Sequence, residues 1–200
     1  NTYPIVTIGQ QEWMGKNLRV KHYRNGDPIP SGGSQEIDLP KSGYYYAYND
    51  DTSLVEDYGL LYNGYILKEE RSVCPSGWTV PSEIQWRVLD MQLGMSWKEV
   101  NNRKNWYGYN EGGQLKETGT KYWRLPNVGA TNESGFSMRA GGYRNMVQKS
   151  FKSLGEDAYF WTSTITEFGY NEPLIRRYSY NRAKTFQSAE HNRAFSIRCI

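Results

Sequence analysis

Apolar and polar residues change places in short runs along most of this chain, and one stretch alone keeps a helical period for long. Near the start, Ile5-Val6-Thr7-Ile8 and Gln11-Glu12-Trp13-Met14 flank Gly9-Gln10, which predicts a tight hairpin. Asn25-Gly26-Asp27-Pro28, Pro30-Ser31-Gly32-Gly33 and Pro40 predict loop over residues 25–43. Tyr44-Tyr45-Tyr46-Ala47-Tyr48 reads as a strand with rings on both faces, serving packing. Leu61, Tyr65 and Ile66 have helical spacing and predict a helix near 60–69, which Gly64 weakens. Ser82 and Gln85, directly after Pro81, form a capping box that opens a helix over 82–93. Ile84, Val88 and Met91 share one side of it, Trp86, Leu89 and Leu93 lie beside them, and Gly94 ends it. Ser96 and Glu99 repeat the box for a shorter helical turn. Residues 101–150 are glycine-rich and aperiodic, a long loop region of the kind that usually carries function. Strands are predicted at 158–164, 174–180 and 194–200. In the last, Phe195, Ile197 and Cys199 alternate with Ser196 and Arg198, so one face is buried.

Composition fits a chain built of strands and turns. Two hundred residues suit one domain spanning 1–200, and Tyr (17) and Trp (7) supply much of an apolar fraction of only 38%. The net charge of +3 is divided: 9 Lys+Arg against 13 Asp+Glu in residues 1–100, then 15 against 8, or +7, in 101–200. An anion-binding face would use that surplus, but the basic residues are scattered, so a solvated surface is the plainer reading and nucleic acid is not expected as a partner. No apolar run approaches the ~20 residues of a membrane span. No signal peptide precedes Asn1, so an export signal or lipid anchor would belong to a segment outside this sequence.

Motifs for chemistry are missing. There is no phosphate-binding loop, no H-E-x-x-H, no G-x-S-x-G and no EF-hand loop, and His22 and His191 are the only histidines. The acid pairs Asp50-Asp51, Glu69-Glu70 and Glu156-Asp157 are sequence neighbours whose side chains diverge. Asn132-Glu133-Ser134 matches a glycosylation sequon, meaningful only in a eukaryotic secretory pathway. Cys74 and Cys199 lack zinc-ligand spacing and a local base; buried free thiols and a disulfide both remain open from the residues alone. A bridge would close a loop worth about 4–5 kcal/mol in the chain-entropy picture.

Several strings, in order, resemble one family: Ile8-Gly9-Gln10-Gln11-Glu12-Trp13-Met14 with Lys16-Asn17-Leu18; Gly59-Leu60-Leu61-Tyr62-Asn63; Cys74-Pro75-Ser76-Gly77-Trp78-Thr79-Val80-Pro81 with Trp86; Gly113-Gln114-Leu115-Lys116-Glu117-Thr118-Gly119; Gly129-Ala130-Thr131-Asn132-Glu133-Ser134-Gly135-Phe136; Gly141-Gly142-Tyr143-Arg144; Phe160-Trp161-Thr162-Ser163-Thr164; and Phe195-Ser196-Ile197-Arg198-Cys199. The chain resembles the Fibrobacter succinogenes major paralogous domain from about Val6 to Ile200. Gly64, where an aromatic is usual, and Ala194, for a frequent Gly, depart from it. The resemblance implies an α+β, C-type lectin-like fold with two helices, small antiparallel sheets and a long irregular loop region. It also implies a Cys74–Cys199 bridge, and an extracellular or outer-membrane location on a bacterium. Lectins of that fold often bind sugar through calcium, but the Glu-Pro-Asn, Gln-Pro-Asp and Trp-Asn-Asp triplets are absent, so calcium has no motif here and no other cofactor is expected.

The functional expectation is a non-catalytic binding module for a glycan or surface glycoprotein, with a structural or adhesive module as the alternative. Formylglycine-generating enzymes share a related fold, but their chemistry needs reactive cysteines. Trp78, Trp86, Trp123 and Trp161 read as core. Tyr107, Tyr109, Tyr170, Tyr178 and Tyr180 are the candidate ligand-binding rings, with Arg176, Arg177 and Arg182 as donors to an anionic sugar or carboxylate.

Overall fold

The computed structural model describes residues 1–33, 40–101, 105–166 and 171–200. Strands β1 (Ile5–Ile8) and β2 (Gln11–Met14) form the expected hairpin, with Ile8 opposite Gln11. Gly9 takes φ +62° at the first turn position, a conformation that a two-residue hairpin turn reserves for glycine. There follow β3 (Tyr45–Tyr46), α1 (Val55–Tyr58), β4 (Leu61–Asn63), a 3-10 segment (Gly64–Lys68), α2 (Glu83–Gln92) and α3 (Trp97–Asn101). The second half adds β5 (Trp106–Tyr107), α4 (Glu111–Leu115), β6 (Gly141–Asn145), β7 (Ser150–Leu154), β8 (Asp157–Ile165), β9 (Pro173–Ser179), β10 (Thr185–Ala189) and β11 (Arg193–Phe195). The fold is α+β and mostly sheet. The main sheet runs β3-β4-β11-β6-β8-β9-β10-β5, with β7 paired to β6. Its pairs are antiparallel except β6 with β8, which meet in parallel at Gly142 and Ala158.

This sheet has a core on each face. Alternation along β8 and β9 sends Tyr159, Trp161 and Ile175 to one side, where Leu18, Leu60, Ile66 and Val73 cover part of them. Ala158, Phe160 and Tyr178 point the other way, against Trp86 and Leu89 of α2, Trp13 of the hairpin, and Phe136. Cys74 and Cys199, both fully buried in the first core, are bridged across 125 residues, with S–S 2.07 Å. The chain end is built into the fold: Met14 N–H donates to Cys199 O (3.0 Å), Leu18 N–H to Ile197 O (2.8 Å), and Ile200 and Thr79 exchange bonds of 3.0 and 2.8 Å.

Helix α2 starts where its box predicts, with Gln85 N–H donating to Ser82 Oγ at 3.3 Å and Ser82 N–H to Gln85 Oε1 at 2.8 Å. Its buried stripe differs from the expected one. Glu83, Trp86, Leu89 and Asp90 are buried, whereas Ile84 is 69% exposed. Two acids in the inward stripe hide it from a hydropathy count.

The helix expected near 60–69 is instead a strand followed by 3-10 turns. Leu61, Tyr62 and Asn63 are all buried between β3 and β11, and that pairing overrides a weak helical spacing broken by Gly64. The strand expected over 44–48 is confined to Tyr45–Tyr46, and a 3-10 turn begins at Tyr48. The long loop region is also smaller than expected, because β5, α4 and β6 lie within it. Residues 116–140 are irregular but tied down. The buried Lys116 ammonium donates to Val128 O (2.8 Å), Ser179 O (3.1 Å) and Arg182 O (2.9 Å), using all three of its N–H bonds. Burial lowers its pKa to about 8. Trp123 Nε1 donates to Met138 O, and Asn127 Nδ2 to Glu117 O and Gly119 O.

Candidate ligand-binding face

Strand register brings the side chains of four strands into one line. Tyr159 lies opposite Arg177, Arg177 opposite Phe186, and Phe186 opposite Trp106, so all four project from the same face. With strands about 4.8 Å apart, this line and Tyr143 on the next strand reach roughly 19 Å. The Arg177 guanidinium lies 5.4 Å from the Trp106 ring centre and 5.4 Å from that of Tyr159. Arg182 covers Trp106 at 5.2 Å, and Trp106 packs on Phe186 at 5.3 Å. At the other end, Tyr143 meets Tyr159 edge-on at 5.2 Å and carries Arg193 at 4.8 Å. Trp106, Phe186, Tyr143 and Arg177 are half-buried, whereas Tyr159 between them is buried at 6% exposure and belongs to the first core.

The electrostatics favour a fixed Arg177. Its Nη2 donates to Asp157 Oδ2 at 3.1 Å, and Asp157 is itself buried. Burial first, then the Asp157 charge, holds the Tyr159 phenol well above its ordinary range, so it stays a neutral donor to Asp157 Oδ2 at 3.3 Å. Arg177 Nε and Asp157 Oδ1 are buried without a hydrogen-bond partner among the described residues. Arg182 makes no ion pair among them, leaving its guanidinium available above Trp106.

The opposite face of these strands is closed. Arg176, next to Arg177, is fully buried, with Nε and Nη2 on the two Glu83 oxygens at 3.1 and 3.0 Å and Nη1 on Asp90 at 2.7 Å. The Tyr107 hydroxyl and Arg176 Nη1 are also in close contact. Desolvation raises the Asp90 pKa to about 6 despite Arg176, and its Oδ1 has no partner among the described residues.

These positions correct three of the expected ligand residues. Tyr107, Arg176 and Tyr178 are buried at 6%, 0% and 0% exposure, because α2 covers the face from which they project. Arg177 and Arg182 lie on the open face. Tyr109 is 80% exposed beyond β5, and Tyr180 is half-buried beneath the Arg124 guanidinium at 5.4 Å. Tyr170 lies outside the described residues. Trp106, Phe186 and Tyr143 are not among the expected ligand residues. Phe186 lies in a weakly apolar segment, Thr185-Phe186-Gln187-Ser188-Ala189, with little strand signal. The expected core role fits Trp86, Trp123 and Trp161, which are buried, while Trp78 is half-buried.

A cavity of about 240 Å³ lies where β4, β9 and the β10–β11 turn meet, lined by residues including Gly64, Tyr65, Lys68, Met146, Asn171, Pro173 and His191. A second cleft, of about 400 Å³, holds Arg139 on Glu117 and Asp57 at 2.6 and 2.7 Å, so its main cation is already neutralised. Among the described residues no group of three His, Cys, Asp or Glu could hold a metal ion, and no helix is long and apolar enough to cross a membrane. Both cysteine sulfurs are consumed by the bridge, so neither is available as a thiol nucleophile.

No curated protein and no solved structure matches this chain. The family model described as the Fibrobacter succinogenes major domain matches residues 6–200, and the chain belongs to that family.

Proposed function

We propose that this chain is a non-catalytic binding module of a bacterial surface or secreted protein, and that it recognises an extended glycan across the half-buried Tyr143, Arg177, Phe186 and Trp106, with the buried Tyr159 supporting them from within. The observation carrying this reading is the line of half-buried rings and guanidinium groups set by strand register. Aromatic surfaces stack on sugar rings with little loss of side-chain entropy, and the flanking arginines donate to hydroxyl, carboxylate or sulfate groups. A C-type lectin-like arrangement belongs to the same proposal. It is supported by the opening hairpin, the ten-residue α2, the irregular 116–140 segment and the bridge from Cys74 to the closing segment. The disulfide is also compatible with an oxidising, extracellular compartment.

Affinity electrophoresis through gels containing neutral or acidic polysaccharides tests the reading. At least one polysaccharide should retard the protein, and Trp106→Ala with Arg177→Met should abolish the retardation while the far-UV circular dichroism and the denaturation midpoint stay close to those of the wild type. Equal retardation of wild type and variant would overturn it.

The adhesive alternative has its own observation. Trp97 and Ile84 are 70% and 69% exposed on the helical side, away from the row. Sedimentation that shows self-association, abolished by Trp97→Ser, would favour it.

A further inference from the structure

The cavity beside Gly64 is distinct in chemistry from the flat row. Its floor exists because residue 64 has no side chain. A Cβ there would lie 3.5 Å from the Trp161 ring edge and 3.6 Å from Pro173 Cγ, filling space without a clash. Met146, 4% exposed, adds apolar surface, and the 42%-exposed Tyr65 ring forms a wall. The rim is polar and ordered by its own bonds. His191 Nδ1 lies 2.5 Å from Glu172 Oε1, and its Nε2 lies 2.6 Å from Asn192 Nδ2. Asn192 therefore donates to Nε2 while Nδ1–H points to Glu172, which fixes the ring plane. Asn171 is exposed with φ +53°, a conformation asparagine tolerates, and lines the same opening.

Charge selects among ligands at this rim. Glu172 is held by the His191 hydrogen bond and keeps its charge, while Glu190 is paired with Arg193 at 2.7 Å. Lys68 makes no ion pair among the described residues; its ammonium lies 5.9 Å from the centre of the Tyr65 ring. An unpaired cation beside an aromatic wall, above an apolar floor and amide groups, suits a small amphipathic anion with one apolar face and several hydroxyls.

We infer that the Gly64 cavity is a monosaccharide subsite for a carboxylated pyranose, with the ring face against Tyr65, hydroxyls on Asn171 and Asn192, and the carboxylate on Lys68. This deepens the binding-module reading and rests on it. The cavity volume of about 240 Å³ accommodates a single sugar ring.

The test titrates isotopically labelled protein with methyl β-D-glucuronide, methyl β-D-glucoside and acetate, following amide shifts by NMR. Saturable shifts at residues 64–68 and 190–192 are expected for the glucuronide, with binding roughly tenfold weaker for the glucoside, the size of one charge-assisted hydrogen bond. Lys68→Met should erase that preference, and Gly64→Ala should weaken both sugars by filling the floor. Because Gly64→Ala makes only ordinary contacts, it should fold, and Trp106→Ala should leave the monosaccharide shifts unchanged. No saturable shift, equal affinity for both sugars, or an unaltered preference in Lys68→Met overturns the inference. If polysaccharide retardation persists in that event, the subsite fails alone; if retardation is absent too, the binding-module reading fails with it.

Discussion

Two faces of the same strands divide this protein into a closed region and an open one. Trp106 and Tyr107, Tyr159 and Phe160, Arg176 and Arg177, Thr185 and Phe186 are neighbouring pairs, and in each pair one side chain goes to either face. The closed face buries Arg176 against Glu83, Asp90 and Tyr107 beneath α2. The open face keeps Arg177 between Trp106 and Tyr159, with a side chain 34% exposed. The same residue type, one position apart, is structural on one side and available to a ligand on the other. Whether a charge is caged or presented depends on what covers it.

Breaking the closed face should have the largest effect. Arg176→Met leaves Glu83 and Asp90 buried without their shared cation and should cost about 3–5 kcal/mol in chemical denaturation. A loss below about 1 kcal/mol would show that the cage is open to water. Next comes the Cys74–Cys199 bridge, which fastens segments covering the inner part of the opposite face. Replacing both cysteines by serine should cost about 2–5 kcal/mol on the same measurement.

The third effect is a pH dependence of the closed face alone. The folded-state pKa of Asp90 is raised to about 6, so its contribution to stability is fully present below its unfolded value near 4 and disappears as pH rises through 6. Relative to Asp90→Asn, the wild type should therefore gain roughly 2–3 kcal/mol between pH 7 and pH 4. Denaturation curves at several pH values, run in parallel on both proteins, isolate this from other carboxylates. The smallest change in stability should come from Arg177→Met, about 1–2 kcal/mol, because Arg177 is partly solvated and Tyr159 still donates to the buried Asp157 after the ion pair is lost. Its effect should appear in glycan retardation instead. A stability loss as large as that of Arg176→Met would remove the distinction between the faces.

Local signals carried part of this structure. Gly9 between two alternating runs specified the hairpin, and the reciprocal Ser82–Gln85 bonds specified where α2 begins. Both depend on contacts within a few residues. The inward stripe of α2 was not legible, because Glu83 and Asp90 are counted as polar until Arg176, 93 and 86 residues away, meets them. Strands β6, β7 and β10 were missed for a related reason. They are short, carry polar residues such as Arg144, Lys152 and Gln187, and gain their pairing from strands elsewhere in the chain.

The sequence by itself determined the hairpin, the start of α2, the aromatic-rich composition of the sheet, and which neighbouring residues must part to opposite faces. It also supplied the family strings that link Cys74 to Cys199. Tertiary structure decided that α2 covers the Arg176 face and leaves the Arg177 row open, and that Gly64 floors a cavity. Alternation is a property of one strand, whereas coverage is made by segments distant in sequence, and only their packing assigns an inside and an outside.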